Sequence, residues 1–247
     1  MSVIPTPLRN RWSDLVLTMR AVVQSLLGRV GLQLQRVTPL PDPILVWDED
    51  ARFLELHSEI RNRTLVDKSR CFILYQYLRH AAGLAGDVAE IGVYKGGTAL
   101  LLARMNPQRA IHLFDTFEGM PATDPTRDLH RQGDFANTSL RSVQAFLSGL
   151  PAVQFYPGLF PDTAGPVTDK TFAFVHVDVD IYSSVLACCE FFYPRLVVGG
   201  VMVFDDYGFR SCPGARAAVD EFFLNRPERP VYLATGQCVV IRMPSAS

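Results

Sequence analysis

The chain has no C-x-x-C pair and no His/Cys cluster at metal-ligand spacing. Its five cysteines, Cys71, Cys188, Cys189, Cys212 and Cys238, form an odd, scattered set. That excludes a disulfide framework and leads to the expectation of reduced thiols in a cytoplasmic protein. Charge of one sign is also missing. With 24 basic and 25 acidic residues the formal net charge is −1, so nothing in the overall balance argues for nucleic acid as a partner. No apolar run approaches the ~20 residues of a membrane span. Arg20, Arg29 and Arg36 interrupt the apolar pattern of residues 14–36, which argues against a signal peptide. The G-x-G-x-x-G fingerprint and the G-x-x-x-x-G-K-[ST] loop are both absent, so a pyrophosphate cradle is not expected.

What is present is concentrated in residues 87–98, Asp-Val-Ala-Glu-Ile-Gly-Val-Tyr-Lys-Gly-Gly-Thr. The stretch reads as a buried strand, a glycine turn and the first turn of a helix. Gly92, Gly96 and Gly97 let the backbone turn and approach a ligand closely, and the helix start offers free N–H groups. Glu90, next to last in the apolar strand, calls for a ligand carrying donors or positive charge.

Residues 1–40 carry five arginines and one aspartate, a local charge of +4, and the apolar spacing of 14–36 predicts an amphipathic helix. Self-association of the chain into a homo-oligomer, as a homodimer, is the first reading of that helix. Peripheral contact with an anionic membrane is the second. Prolines 39, 41 and 43 mark a linker, so residues 1–47 are read as an extension and 48–247 as one domain. Helices are expected over 50–62, 68–84, 97–105, 139–148, 182–194 and 214–225. Strands are expected over 87–91, 110–114, 153–156, 172–178, 198–204, 231–234 and 238–242. The alternation predicts an α/β fold with a Rossmann-like parallel sheet covered on both faces. Only Thr235-Gly236-Gln237 separates the last two strands, so they must pair antiparallel.

Seven strands ending in a hairpin resemble the class I S-adenosylmethionine (SAM) methyltransferases, with sheet order 3-2-1-4-5-7-6. Within them, five stretches are similar to the macrocin O-methyltransferase family. They are Gly86 to Gly97, Phe114-Asp-Thr-Phe-Glu-Gly-Met-Pro121, Gly133-Asp-Phe135, His176-Val-Asp-Val-Asp-Ile-Tyr-Ser-Ser184, and Asp205-Asp-Tyr-Gly208 followed by Pro213-Gly-Ala-Arg216. The resemblance runs in order from about 50 to 242.

Asp115 stands 25 residues after Glu90 at the end of the second strand, where an acid accepts hydrogen bonds from ribose hydroxyls. SAM suits this acidic site better than NAD. By resemblance, adenine lies near Gly158, Leu159 and Phe160, and Tyr94, Thr98 and Thr116 complete the expected cofactor contacts. Asp178, Asp205 and Asp206 end neighbouring strands, and like charges so placed need a divalent cation or shifted protonation. An all-oxygen set favours Mg²⁺, with Mn²⁺ or Ca²⁺ as alternatives. His112 and His176 are expected to be packed core residues. The long segment 116–138, with His130, is expected to act as a lid. The resulting expectation is a SAM- and Mg²⁺-dependent O-methyltransferase acting on a sugar hydroxyl of a glycosylated natural product or glycan. Asp178 is the first candidate for general base, with Asp180 and His130 as alternatives. A vicinal diol is the expected acceptor, so a catechol-like acceptor stays open. Two further readings are a nicotinamide-dependent oxidoreductase and a non-catalytic partner-binding protein.

Overall fold

A computed structural model describes residues 22–27 and 45–244. The chain divides into two units, Met1–Leu45 and Val46–Ser247. In the first, residues 22–27 are helical; the remainder of the expected 14–36 helix and the proline linker lie outside the described residues.

The second unit is built on a seven-stranded sheet, β1 (Asp87–Ile91), β2 (Ile111–Asp115), β3 (Val153–Pro157), β4 (Phe172–Val177), β5 (Leu196–Phe204), β6 (Val231–Tyr232) and β7 (Cys238–Ile241). The strands lie in the order β3-β2-β1-β4-β5-β7-β6. The first five run parallel, and β7 pairs antiparallel with β5 and β6. The order is the one that the methyltransferase resemblance implied, and the final hairpin the one expected from the three-residue connection at 235–237. Six helices accompany the strands: α1 (Ala51–Ile60), α2 (Lys68–Ala81), α3 (Gly97–Met105), α4 (Leu140–Phe146), α5 (Tyr182–Phe192) and α6 (Pro213–Phe223). Phe53, Leu56, Leu74, Leu78 and Leu101 from α1, α2 and α3 pack on one face of the sheet; Val185, Phe192, Phe222 and Phe223 from α5 and α6 fill the other. β1 and β4 are buried on both faces, which is why they read as mainly apolar runs, broken only by Asp87 and Glu90 in β1 and His176 in β4.

Local chemistry sets the helix ends. Asp50, Asp67 and Ser139 accept from the N–H groups of Phe53, Arg70 and Ser142 and start α1, α2 and α4. The second helix stops three residues before its expected end at 84. Arg109 donates to the carbonyls of Ala81, Ala82 and Leu84 and satisfies them outside the helix. Residues 116–138 contain no helix or strand, yet they are folded on themselves. The Met120 N–H donates to the Asp134 carbonyl at 2.7 Å and the Gly133 N–H to the Met120 carbonyl at 2.9 Å.

Candidate active site

The C-terminal ends of β1, β2, β4 and β5, roofed by the 116–138 segment, enclose a cavity of about 300 Å³. Gly92, Tyr94, Thr98, Asp115, Thr116, Gly158, Leu159, Phe160, His130, Asp178 and Asp206 line it. Glu90, Gly96, Gly97 and Asp205 do not; they stand behind its wall. Phe160 is held by Phe114 and Phe192, with ring centroids at 5.3 and 5.4 Å, and gives one side a rigid apolar surface.

The turn expected of the glycines is present, with φ of +88° at Gly92 and +85° at Gly96, and close packing adds a second requirement. A Cβ on Gly92 would fall 1.7 Å from the Asp178 carbonyl oxygen, and φ there is +88°. A Cβ on Gly97 would lie 2.8 Å from the Arg63 backbone, and one on Gly96 would lie 2.9 Å from the Val143 side chain. Glycine is therefore needed for β1 to pack against the β4 loop and for α3 to pack on the 61–64 turn, where the Gly97 N–H also donates to the Arg63 carbonyl. Asp115 likewise does more than face a ligand. Its Oδ2 accepts from the N–H groups of Val93 and Tyr94 at 2.7 and 2.8 Å, and its Oδ1 from that of Phe117 at 2.6 Å. One carboxylate ties the turn after β1 to the turn after β2.

Register places Glu90 beside His176, and His176 beside Val203 of β5. His176 is the packed, hydrogen-bonded histidine expected, and its two ring nitrogens face two acids. Nδ1 lies 2.9 Å from Glu90 Oε1, and Nε2 lies 3.5 Å from Asp205 Oδ1, an ion-pair contact rather than a hydrogen bond. All three side chains are fully buried. Burial alone would push the His176 pKa down, but Asp205 and Glu90 outweigh it and raise it to about 10. The imidazole therefore sits between two acidic side chains that favour its charged form, and Glu90 Oε2 and His176 Nε2 both remain buried without a hydrogen-bond partner. His112 is likewise the expected core residue, held between Asp87 and Tyr156 at 2.9 Å each.

Asp178, Asp205 and Asp206 present ligand oxygens within 4.8 Å of one another. Burial, followed by the neighbouring carboxylates, pushes Asp178 and Asp206 well above the usual carboxylate range. Burial also works against Asp205, but His176, Arg70 and Gln237 more than offset it and hold that carboxyl below its usual value. Gln237 Nε2 donates to Asp205 Oδ1 at 2.8 Å and Arg70 to Asp205 Oδ2. Arg70 in turn rests on Asp67 and under the Phe209 ring. Arg70 is absent from the expected site residues, because no motif or spacing gives it a signal.

The roof is latched by Asp128, which is 5% exposed. It accepts from the first N–H of α5, that of Tyr182, at 2.8 Å and from the Asp124 N–H at 3.1 Å. A Cβ on Gly214 at the start of α6 would lie 2.0 Å from Asp128 Oδ1, so that glycine makes room for the latch. The Tyr94 hydroxyl donates to Asn137 at 2.9 Å and its carbonyl accepts from Thr138. His130 reaches down to Asp180, whose φ of +58° is one of four positive values among the described non-glycine residues; Tyr94 and Phe135, two others, also line the cavity. Burial raises the Asp180 carboxyl, against the pull of His130 and Cys212.

Comparison with known proteins agrees with this layout. The family model of macrocin-O-methyltransferase (TylF) matches residues 48–239. The 8-demethyl-8-(2,3-dimethoxy-alpha-L-rhamnosyl)-tetracenomycin-C 4'-O-methyltransferase of Streptomyces olivaceus is 34% identical over 151 residues, 55% of this chain and 58% of the relative. The mycinamicin III 3''-O-methyltransferase of Micromonospora griseorubida is 33% identical over 158 residues, 57% of this chain and 61% of the relative. The matched region thus spans under two thirds of the length of these relatives. Among solved structures, the O-methyltransferase NovP superposes with a TM-score of 0.65 at 27% identity, covering 74% of this chain and 83% of that one. With a match over most of the second unit and a sheet of the same order, the chain belongs to the macrocin-O-methyltransferase (TylF) family.

Proposed function

We propose that the protein is a SAM- and Mg²⁺-dependent O-methyltransferase acting on a sugar hydroxyl of a glycosylated natural product or glycan. The observation that carries this reading is the meeting in one cavity of the turn after β1 and the carboxylates of Asp178 and Asp206, with Asp205 directly behind them. A buried, unpartnered Glu90 oxygen suits a ligand with an ammonium group. Three close carboxylates, two of them forced toward protonation, suit a hard divalent cation. The relative named for a rhamnosyl-tetracenomycin supports a sugar acceptor.

In this reading Gly92, Tyr94, Thr98, Asp115, Thr116, Gly158, Leu159 and Phe160 hold SAM, with Glu90 acting from behind and Gly96 and Gly97 shaping the turn. Asp178, Asp205 and Asp206 hold Mg²⁺. SAM supplies an activated methyl carbon, and Mg²⁺ a charge that orients and acidifies the acceptor hydroxyl. Asp178 is committed to the carboxylate cluster, so the proton falls to Asp180, which faces the cavity with 17% of its side chain exposed. His130 Nε2, 3.5 Å from Asp180 Oδ1, and Asp134, 3.2 Å from His130 Nδ1, stand behind it and stabilise a change in its charge. The segment latched by Asp128 covers one side of the cavity and limits the access of bulk water. The five buried free thiols support a reducing, cytoplasmic setting, and residues 14–36 remain the proposed region of self-association.

The test is formation of S-adenosylhomocysteine and a methylated product, read by mass spectrometry over a panel of glycosides, free sugars and catechols. Turnover of a glycoside that stops in EDTA and returns with Mg²⁺ is the expected result. Full turnover in excess EDTA, or SAM left intact with every acceptor while NAD binds, would overturn the reading.

A further inference from the structure

Asp180, His130 and Cys212 arrive from three separate places: the loop after β4, the lid, and the residue before α6. Asp180 Oδ1 lies 3.3 Å from Cys212 Sγ and 3.5 Å from His130 Nε2, and Sγ lies 3.6 Å from Nε2. A tetrahedral zinc ion, with Zn–S about 2.3 Å and Zn–N or Zn–O about 2.0–2.1 Å, sets its S–N and S–O ligand pairs about 3.5 Å apart and its N–O pair about 3.3 Å apart. All three edges match to within about 0.2 Å. His130 Nδ1 faces Asp134 Oδ2 at 3.2 Å, so a proton on Nδ1 has an acceptor there. This leaves the Nε2 lone pair aimed at the cluster, as in carboxylate–histidine–metal arrangements.

We propose that Asp180, His130 and Cys212 form a site for a thiophilic divalent ion of the zinc type, distinct from the three oxygen ligands at 178, 205 and 206. Cys212 is the only one of the five cysteines that lines the cavity. Sulfur and imidazole ligands select zinc, while an all-carboxylate set selects magnesium, so the two sites sort ions by chemistry. Three protein ligands leave a fourth position facing the cavity. On binding, the Cys212 sulfur forms the metal bond and its proton is released to solvent. The ion ties the lid to the β4 loop and to the start of α6. If Asp180 accepts the acceptor's proton, as the methyltransferase reading holds, the loaded site is also an inhibited one.

Co²⁺ is the probe, because thiolate coordination gives it a near-ultraviolet charge-transfer band that oxygen ligands do not. The full chain, held in excess Mg²⁺ so that the carboxylate site is filled, is titrated with Co²⁺ and then with Zn²⁺. One Co²⁺ per chain is expected, with the band displaced by Zn²⁺ and lost in Cys212→Ser. His130→Ala and Asp134→Ala should weaken binding at least tenfold, and Asp178→Asn should leave the band in place. Far-ultraviolet circular dichroism confirms that each variant is folded, and the lid variants report on the site even if Cys212→Ser does not fold. Absence of the band in the wild type, or its persistence in Cys212→Ser or in His130→Ala at unchanged affinity, overturns the proposal. The spectrum reads the ligands directly, so it is independent of whether any acceptor is methylated.

Discussion

Replacing Asp115 separates two roles that meet on one carboxylate. A residue that only held ribose would leave the ligand-free protein untouched when removed. The structure instead gives Asp115 three backbone donors, those of Val93, Tyr94 and Phe117, at 2.7, 2.8 and 2.6 Å. Hydrogen bonds to a charged acceptor contribute about 1.5–3 kcal/mol each, but water replaces part of that at a half-buried site, so Asp115→Ala should cost about 2–4 kcal/mol in total. With a urea m-value of about 2 kcal/mol/M, the unfolding midpoint falls by about 1–2 M. Asp115→Asn keeps one oxygen and turns an NH₂ toward at least one of the donors, so it should fall between wild type and Asp115→Ala. The assay is urea unfolding without cofactor, paired with calorimetric titration of SAM. An unchanged midpoint in Asp115→Ala together with lost SAM affinity would refute the loop-holding role and leave the ribose contact alone.

Gly92→Ala should cost more than 2 kcal/mol, since its Cβ meets the Asp178 carbonyl oxygen at 1.7 Å and φ is positive. Unfolding midpoints check this, and a neutral effect would mean that the β4 loop yields freely. Arg70→Met leaves the fully buried Asp205 short of a cation, at a cost of about 3–5 kcal/mol for a broken buried pair; thermal unfolding in EDTA should show a loss that added Mg²⁺ partly restores. Glu228 is 2% exposed and accepts from Tyr193 at 2.6 Å and from Met243 and Arg242 at 3.1 and 3.2 Å. Burial pushes its carboxyl up, but these partners outweigh it and lower it below the ordinary 4.5. The stability it adds is complete above that value and is lost as pH falls through the lowered one. Glu228→Gln should therefore be less stable than wild type at neutral pH, with the gap closing in acid; a constant gap would assign the loss to packing.

The sequence alone determined the strands, the final hairpin and the acids at the strand ends, because each rests on local chemistry, while the sheet order and the residues expected around adenine came with the family resemblance. Apolar runs such as Phe172–Val177, the three-residue turn at 235–237 and acids at strand ends declare strand, hairpin and ligand edge without reference to distant residues. Tertiary structure decided what those residues touch. Gly92 is glycine because of a carbonyl 86 positions away, and Arg70 meets Asp205 across 135 residues. Cys212 looks like a stray thiol until the lid brings His130 over it. Periodicity reports which face of an element is buried. It holds no information about which other element supplies the neighbour, and here that neighbour sets the surroundings of His176, the shape of the turn after β1 and the side chains gathered at Asp180.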